Sequence, residues 1–181
     1  MRAKTRATIE DLYKVEGKAE LVNGEIIEIP LAGDDPGYAS GEIFAALRAY
    51  VRRTKQGRAY GDGVGFHVHL PHRESYSPDA AYHVGPCTGM RFLEGAPIFA
   101  VEVRSEQDYG SAAEQAMAAK RADYFGCGTL VVWDVDLLSE DVIRVYRASD
   151  PNHPTIYRRG EIAEAEPAVP GWRMPVNDLF G

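Results

Sequence analysis

Hydrophobic and polar positions along the chain follow two periods, that of a strand in some segments and that of a helix in others. Residues 97–104 predict a short buried strand, and residues 129–135 predict a second strand that is covered on both faces. The segment 111–125 between them is rich in alanine and predicts a helix that Gly126 ends. A strand, a helix and a strand in this order form a βαβ unit, so we expect the two strands to be parallel.

The same patterns predict further elements on both sides of this unit. Thr8 caps a short helix in which Asp11 is the third residue. Asn23 and Gly24 predict the turn of a hairpin within KAELVNGEIIEIP, and a longer helix is predicted at about residues 38–56. Other strands are predicted at residues 65–71 and 75–84 and, as edge strands, at residues 142–147 and 155–165.

Chain length and composition predict one folded domain. The chain has 181 residues, which suits a single domain, and no repeat or linker divides residues 1–181. Because 45% of the residues are hydrophobic and 26% are charged, a packed core is expected and wholesale disorder is not. The order of elements predicts an α/β fold with a central mixed β-sheet flanked by helices.

Several protein classes are disfavoured by the sequence. No apolar run approaches the length of about 18 residues that a membrane span needs, so no membrane partner is expected. The first residues lack the apolar region of an export signal. Cys87 and Cys127 are too few for a disulfide scaffold and lack metal-ligand spacing. These features predict a cytoplasmic protein with ordinary thiols.

Charge gives two opposing signals about nucleic acid. The net charge of −7 argues against a general nucleic-acid binder, because phosphate binding requires positive potential. Residues 47–58 nevertheless hold five basic side chains, which form a local basic stripe. The stripe is either a solvated helix face or part of a binding surface, and the sequence leaves both open.

Glu102 is the most unusual position in the predicted core. It lies within the buried strand, on the same face as Ile98 and Ala100. A carboxylate in such surroundings is costly to desolvate unless it has a partner or a cation. The sequence therefore predicts a polar site around Glu102.

Asp79 is the natural partner of Glu102, because it belongs to the preceding strand and the two side chains meet if these strands pair. Two close carboxylates repel each other unless a cation or a shared proton lies between them. Mg²⁺ takes oxygen ligands, and the carbonyl of Val103 would be a third one. Lys120, on the following helix, can reach the same strand ends, and Glu20 is a further carboxylate that would orient water or bind a second metal.

The chain resembles the Uma-two family of restriction-endonuclease-like proteins, within the PD-(D/E)xK nuclease superfamily. The resemblance is carried by AELVNGEIIEIP, SPDAAY, VEVRS, KRADYFGCGTLVVWDVD, VYR and PGWRMPVNDLF, in that order along nearly the whole chain. It implies a restriction-endonuclease-like fold and cleavage of phosphodiester bonds in DNA with Mg²⁺, for which Mn²⁺ can substitute.

Residue by residue, the resemblance implies that Asp79 and Glu102 bind metal and that Glu20 is the early glutamate of the family. Lys120 matches a catalytic lysine that has moved from the strand to the helix. The usual superfamily lysine, two residues after the acidic residue, is replaced by Arg104. Arginine does not act as a base but can clamp phosphate, so Arg104 is a candidate phosphate contact.

Other interpretations of these residues stay open. Glu102 can form a buried ion pair with Arg104 or with another nearby arginine. His67 and His69 share one strand face, which suits two zinc ligands, but no cysteine pair or Glu-x-x-His helix accompanies them or His72. One of these histidines can instead contact phosphate beside the nuclease site.

Three functions follow, in order of preference. The first is a DNA endonuclease that acts as a homodimer, since cutting both strands with one site per chain favours two-fold symmetry. The second is a nucleic-acid-binding or mobile-element accessory protein with little or no turnover. The third is a metal-dependent hydrolase with a substrate other than nucleic acid.

Overall fold

The computed structural model describes residues 6–181, in which three α-helices separate runs of successive strands. Its α-helices are α1 (Ile9–Leu12), α2 (Asp34–Thr54) and α3 (Ser111–Gly126), and a 3₁₀ turn covers Val176–Leu179. Its strands are β1 (Ala19–Val22), β2 (Glu25–Glu28), β3 (Arg58–Tyr60), β4 (Phe66–Leu70), β5 (Arg73–Tyr76), β6 (Ala80–His83), β7 (Leu93–Glu94), β8 (Phe99–Val103), β9 (Val131–Val135), β10 (Ile143–Arg147), β11 (Asp150–Tyr157), β12 (Ile162–Glu164) and β13 (Arg173–Pro175).

Local sequence signals account for the first elements. The Thr8 hydroxyl accepts a hydrogen bond from the Asp11 N–H, and the Asp11 carboxylate accepts one from the Thr8 N–H, so the predicted cap of α1 is confirmed. Strands β1 and β2 form the predicted hairpin. Its turn needs two left-handed residues, which Asn23 (φ 55°) and Gly24 (φ 72°) supply.

The large sheet has six strands in the order β11-β10-β9-β8-β6-β3. Strands β8 and β9 are parallel, with Glu102 opposite Asp134, and α3 connects them, which confirms the predicted βαβ unit. Strand β6 pairs antiparallel with β8, as the proposed meeting of Asp79 and Glu102 requires. The other pairs of this sheet are antiparallel too, so the sheet is mixed.

A second mixed sheet, here called the small sheet, has five strands in the order β2-β1-β5-β4-β7, and β12 and β13 form a separate two-stranded sheet. The α/β class with mixed sheets and flanking helices is confirmed, although one central sheet was predicted and two are present. Within residues 6–181, no helix combines the length and the apolar character needed to cross a bilayer.

Two hydrophobic clusters show which side of the large sheet carries which element. Phe99, Val101 and Val103 of β8 pack with Leu47 and its neighbours on α2. The alternate residue Ala100 packs on the other side, with Tyr124 of α3 and residues of the small sheet. Glu102 shares the face of Ala100, so it lies beneath α3 and beside the small sheet.

Some predicted element boundaries are wrong. The segment 75–84 is not one strand: β5 ends at Tyr76, and β6 begins at Ala80 in the other sheet. Pro78 has no N–H for a ladder, and the Ser77 N–H donates to Glu20 instead of a strand, so pairing stops there.

Three other predicted elements also differ from the structure. The segment 142–147 is not an edge strand, because β10 lies between β9 and β11. The segment 155–165 divides between the edge strand β11 and β12 of the two-stranded sheet. Helix α2 begins at Asp34 rather than near residue 38, with Asp34 and Asp35 in its first turn, where carboxylates are favourable.

Candidate functional site

The residues assigned to the nuclease site from the sequence line one cavity of about 450 Å³: Glu20, Asp79, Glu102, Val103, Arg104 and Lys120. Glu20 comes from β1 of the small sheet, and Asp79 comes from the segment that joins the two sheets. Glu102 lies near the end of β8, and Lys120 projects from α3. The cavity is therefore built where the two sheets and the crossover helix meet, and Val103 lines it as well.

Asp79 is fixed by the backbone of the strand beside it. Its N–H donates to the carbonyl of Val101 (3.0 Å), and its Oδ2 accepts from the N–H of Val103 (2.7 Å). Its Oδ1 accepts from the ammonium group of Lys18 at 2.6 Å, and Lys18 also contacts Asp62 at 2.7 Å. One carboxylate oxygen thus holds the strand, and the other is paired with a lysine.

Glu102 is partly buried and is held by two donors from α3. Lys120 Nζ lies 2.9 Å from its carboxylate oxygens, and the Tyr124 hydroxyl donates to Oε1 at 2.6 Å. Burial, and after it the nearby carboxylates of Asp79 and Glu20, raise the pKa of Glu102 to about 7 against the effect of Lys120. The negative charge of Glu102 therefore depends on a cationic partner.

Glu20 is buried and supports Lys120 from the other side. Its Oε1 lies 2.9 Å from Lys120 Nζ and accepts from the N–H of Ser77 (2.9 Å), while its Oε2 accepts from Arg73 (2.7 Å). Burial opposes its negative charge, but Lys120 and Arg73 outweigh burial and lower the pKa of Glu20. Glu20 is consequently an ionised anchor for Lys120.

Lys120 is a charged donor in this arrangement. Burial alone would lower its pKa, but the carboxylates of Glu102 and Glu20 raise it above the ordinary value. A lysine held between two carboxylates can stabilise developing negative charge, but it is poorly suited to accept a proton.

Arg104 has other partners than those considered from the sequence. Its guanidinium makes a two-point contact with Asp134 (2.8 Å each) and also pairs with Glu114. The observed partner of Glu102 is Lys120, and no pair between Glu102 and Arg104 is found among residues 6–181. A phosphate would have to compete with two carboxylates for Arg104, so its phosphate contact stays a prediction.

Several residues of the site, Arg73 among them, were missed in the sequence. Lys18 precedes Glu20 by two residues, which is strand spacing, and this signal could have placed it beside Glu20. Tyr124 is fully buried, yet its hydroxyl reaches Glu102. Its position four residues after Lys120 on a helix was the available signal. Asp134 carried no signal of its own, since its role depends on the register of β8 and β9.

The three histidines of residues 65–72 do not line the cavity. His72 contacts Asp123 at 2.7 Å, whereas His67 and His69 lie together with Glu94. The suggested phosphate contact by one of them stays a prediction.

Comparison with known families decides the relationship. The model of the Uma2 family, described as "Putative restriction endonuclease", matches residues 7–177. The chain belongs to the Uma2 family. The family resemblance inferred from the motif order is thereby confirmed.

A solved structure shows that this Uma2 chain has a known fold. It is similar to the crystal structure of a "putative nuclease belonging to DUF820" from Anabaena variabilis, with a TM-score of 0.74 and 17% sequence identity. The similarity covers 96% of this chain and 97% of the other. A comparison with curated proteins gives no match.

The cavity of this Uma2 chain fits a divalent cation by its donor chemistry. Carboxylate oxygens, which Asp79 and Glu102 supply, are the ligands that Mg²⁺ prefers. Burial, and to a smaller extent the carboxylates of Asp79 and Glu20, raise the pKa of Glu102, and a cation bound beside it would favour its charged form. The ammonium group of Lys18 contacts Asp79 Oδ1, so a cation bound there would displace or share this contact.

Proposed function

We propose that this chain is a metal-dependent DNA endonuclease that hydrolyses phosphodiester bonds in the cavity around Glu102. Its family and fold indicate a nuclease of the restriction-endonuclease type. The proposal of metal-dependent cleavage at this cavity rests on the position of Lys120. Its Nζ lies 2.9 Å from the carboxylates of both Glu102 and Glu20, in the cavity that Asp79 also lines.

In this proposal, Asp79 and Glu102 would hold Mg²⁺, or Mn²⁺ in its place, with the carbonyl of Val103 as a further ligand. The bound cation would polarise the scissile phosphate and make a water molecule a better nucleophile near neutral pH. The chain itself provides a rigid carboxylate at Asp79, because the Val103 N–H holds one of its oxygens.

Lys120 acts on the phosphate. Attack of water on phosphorus forms one P–O bond and breaks the bond to the leaving oxygen. The attacking water releases a proton to solvent, and the leaving oxygen takes one up from solvent. Negative charge grows on the phosphoryl oxygens meanwhile, and the Lys120 ammonium is placed to stabilise it. Glu20 keeps Lys120 charged and positioned, and Tyr124 orients the carboxylate of Glu102.

DNA is the proposed substrate, bound by a homodimer so that each chain serves one strand. Arg104 is the candidate phosphate contact next to this cavity, although Asp134 and Glu114 engage its guanidinium here. Binding of phosphate by Arg104 would therefore require Glu114, the more exposed of its partners, to move aside.

The test is a cleavage assay on plasmid, single-stranded and branched DNA with Mg²⁺, Mn²⁺ or chelator. We expect cleavage of at least one DNA form with metal and none with chelator. Asp79→Asn and Glu102→Gln should each abolish it. Asp141→Asn is the matched control, because that carboxylate pairs with Arg158 at the surface and should leave cleavage unchanged.

A second candidate function is supported by Lys18. Its ammonium lies between Asp62 and Asp79, 2.7 and 2.6 Å from their oxygens, and neutralises the carboxylate that a cation would need. This arrangement favours a nucleic-acid-binding protein with weak turnover or none. Binding of DNA without cleavage of any form, with either metal, would support this second function and contradict the first.

A further inference from the structure

His67, His69 and Glu94 form a compact group on the small sheet, away from the cavity described above. Their possible ligand atoms all lie within 4.8 Å of one another. Glu94 Oε1 is 3.2 Å from His67 Nδ1, and Glu94 Oε2 is 3.8 Å from His69 Nε2. None of the three residues lines the cavity around Glu102.

The backbone brings these three side chains together. In β4, Phe66 and Val68 point into the core, so His67 and His69 project from the opposite face of the strand. Strand β7 runs parallel to β4, with Glu94 opposite His67. The N–H of Gly95, the residue after Glu94, donates to the His67 carbonyl at 2.8 Å and so holds this register. The third ligand, Glu94, is thus distant from the histidines in sequence, since it follows His69 by 25 residues.

The spacing suits a tetrahedral transition-metal ion. Zinc bonds of about 2.0–2.1 Å to nitrogen and oxygen place neighbouring ligand atoms about 3.3 Å apart. The 3.2 Å distance between His67 Nδ1 and Glu94 Oε1 already matches that value, whereas the ligand atom of His69 lies within 4.8 Å of the others and has to move closer. His69 and Glu94 are exposed and free to adjust, whereas His67 is mostly buried, with 19% of its side chain exposed, and fixes the position of the group.

We propose that His67, His69 and Glu94 bind Zn²⁺, with a water molecule as the fourth ligand. Two imidazoles and one carboxylate suit first-row transition metals and are a poor set for Mg²⁺, which takes oxygen ligands. The site is therefore separate in position and in metal preference from the proposed nuclease site.

Zinc at this position would fasten the edge of the small sheet. Strand β7 has two residues and is the outermost strand beside β4. An ion that joins side chains of both strands adds a cross-link to their few backbone hydrogen bonds. Because it binds the folded chain, zinc should also raise the melting temperature.

The proposal is tested on the purified full-length chain after treatment with chelator and desalting. ZnCl₂ is titrated by calorimetry, and CoCl₂ is used as a spectroscopic probe of tetrahedral geometry. We expect one zinc equivalent to bind wild type. His69→Ala and Glu94→Gln should each lower the association constant by about tenfold or more, a loss that even removal of a supporting contact to a ligand can cause.

Two controls make the result specific. His153→Ala removes an exposed histidine that also contacts a carboxylate, Asp150 at 2.8 Å, and should leave zinc affinity unchanged. Glu102→Gln should retain the zinc site as well. Circular dichroism checks that His69→Ala, Glu94→Gln and His153→Ala are folded. The proposal is overturned if wild type binds no zinc, if His69→Ala binds it as tightly as wild type, or if Glu102→Gln abolishes binding.

Discussion

The carboxylate of Glu102 makes stability depend on pH in a direction opposite to that of an ordinary salt-bridged acid. Burial raises its pKa from the ordinary value of 4.5 to about 7. Between these two values the folded chain binds a proton that the unfolded chain does not, so this contribution to stability is complete below pH 4.5 and is lost as pH rises through 7.

Glu102→Gln should therefore be more stable than wild type at pH 8 in the presence of chelator, and the difference should shrink towards pH 5. The free energy of unfolding by urea, measured at both pH values, checks this expectation. A variant that is less stable than wild type at pH 8 would show that the pair of Glu102 with Lys120 outweighs the cost of burial.

Lys120→Ala isolates the chemistry at the same cavity. In other enzymes, removal of one hydrogen-bond donor that stabilises developing negative charge lowers the rate by about 10²- to 10³-fold. We expect a loss of this size in single-turnover cleavage. DNA binding, measured by fluorescence anisotropy, should be retained. Lys14→Ala is the control, because Lys14 also pairs with a carboxylate, Asp11, but does so at the surface. Equal loss in both variants would remove Lys120 from the mechanism.

Arg104 is expected to matter for folding. Its guanidinium and the Asp134 carboxylate are each only 4% exposed, so Arg104→Ala leaves a buried charge without its main partner. Breaking such a pair costs about 3–5 kcal/mol of unfolding free energy, measurable by urea denaturation. Arg158→Ala breaks an exposed pair with Asp141 and should cost less than about 1 kcal/mol. A small loss in Arg104→Ala would contradict the structural role.

At the scale of elements, the βαβ unit could be predicted because each part of it has a local signal. The apolar runs of β8 and β9 and the alanine-rich α3 lie next to one another in sequence, and the handedness of such units is nearly fixed. The break between β5 and β6 carried only the weak signal of Pro78. Its cause is tertiary: the Ser77 N–H serves Glu20, which is 57 residues away in sequence.

The candidate site could likewise be predicted only where its residues carry a signal in the local sequence. Asp79, Glu102 and Lys120 carry motif signals and lie together in one cavity. Lys18 meets Asp79 across 61 residues, and such contacts follow from how the two sheets pack rather than from local spacing. The proposed set of zinc ligands around His67 was incomplete in sequence for the same reason, since its third member comes from β7.

Helix α2 allows a test of element stability. Gly41 lies in the interior of α2 and is exposed. A Cβ atom there would meet nothing within 4 Å. Gly41→Ala should therefore stabilise the fold by about 0.5–1 kcal/mol, because alanine loses less backbone entropy in a helix. The contrasting variant is Gly57→Ala: φ is +60° there and a Cβ would come within 2.5 Å of the Tyr82 ring, so urea denaturation should show a loss of stability.

At the scale of the whole molecule, the basic stripe and the cavity lie on different sides of the large sheet. Helix α2 packs against the face of β8 that carries Val101, whereas Glu102 points to the opposite face. Arg48, Arg52 and Arg53 of the stripe are exposed on α2, and the remaining two basic residues are exposed just after this helix, Lys55 at its end and Arg58 in β3. The stripe therefore does not line the cavity, and positive charge at the proposed cleavage site must come from residues such as Lys120 and Lys18.

One cavity per chain around Glu102 predicts how a duplex is cut. A two-fold dimer places two cavities against two strands of opposite polarity, so plasmid should pass to linear product with little accumulation of nicked circles. Sedimentation at micromolar concentration should give the mass of two chains. Mixing wild type with an excess of Glu102→Gln sharpens the test, because mixed dimers would have one competent cavity and should release nicked circles. A monomeric enzyme would only be diluted, its ratio of nicked to linear product would not change, and the dimer would be excluded.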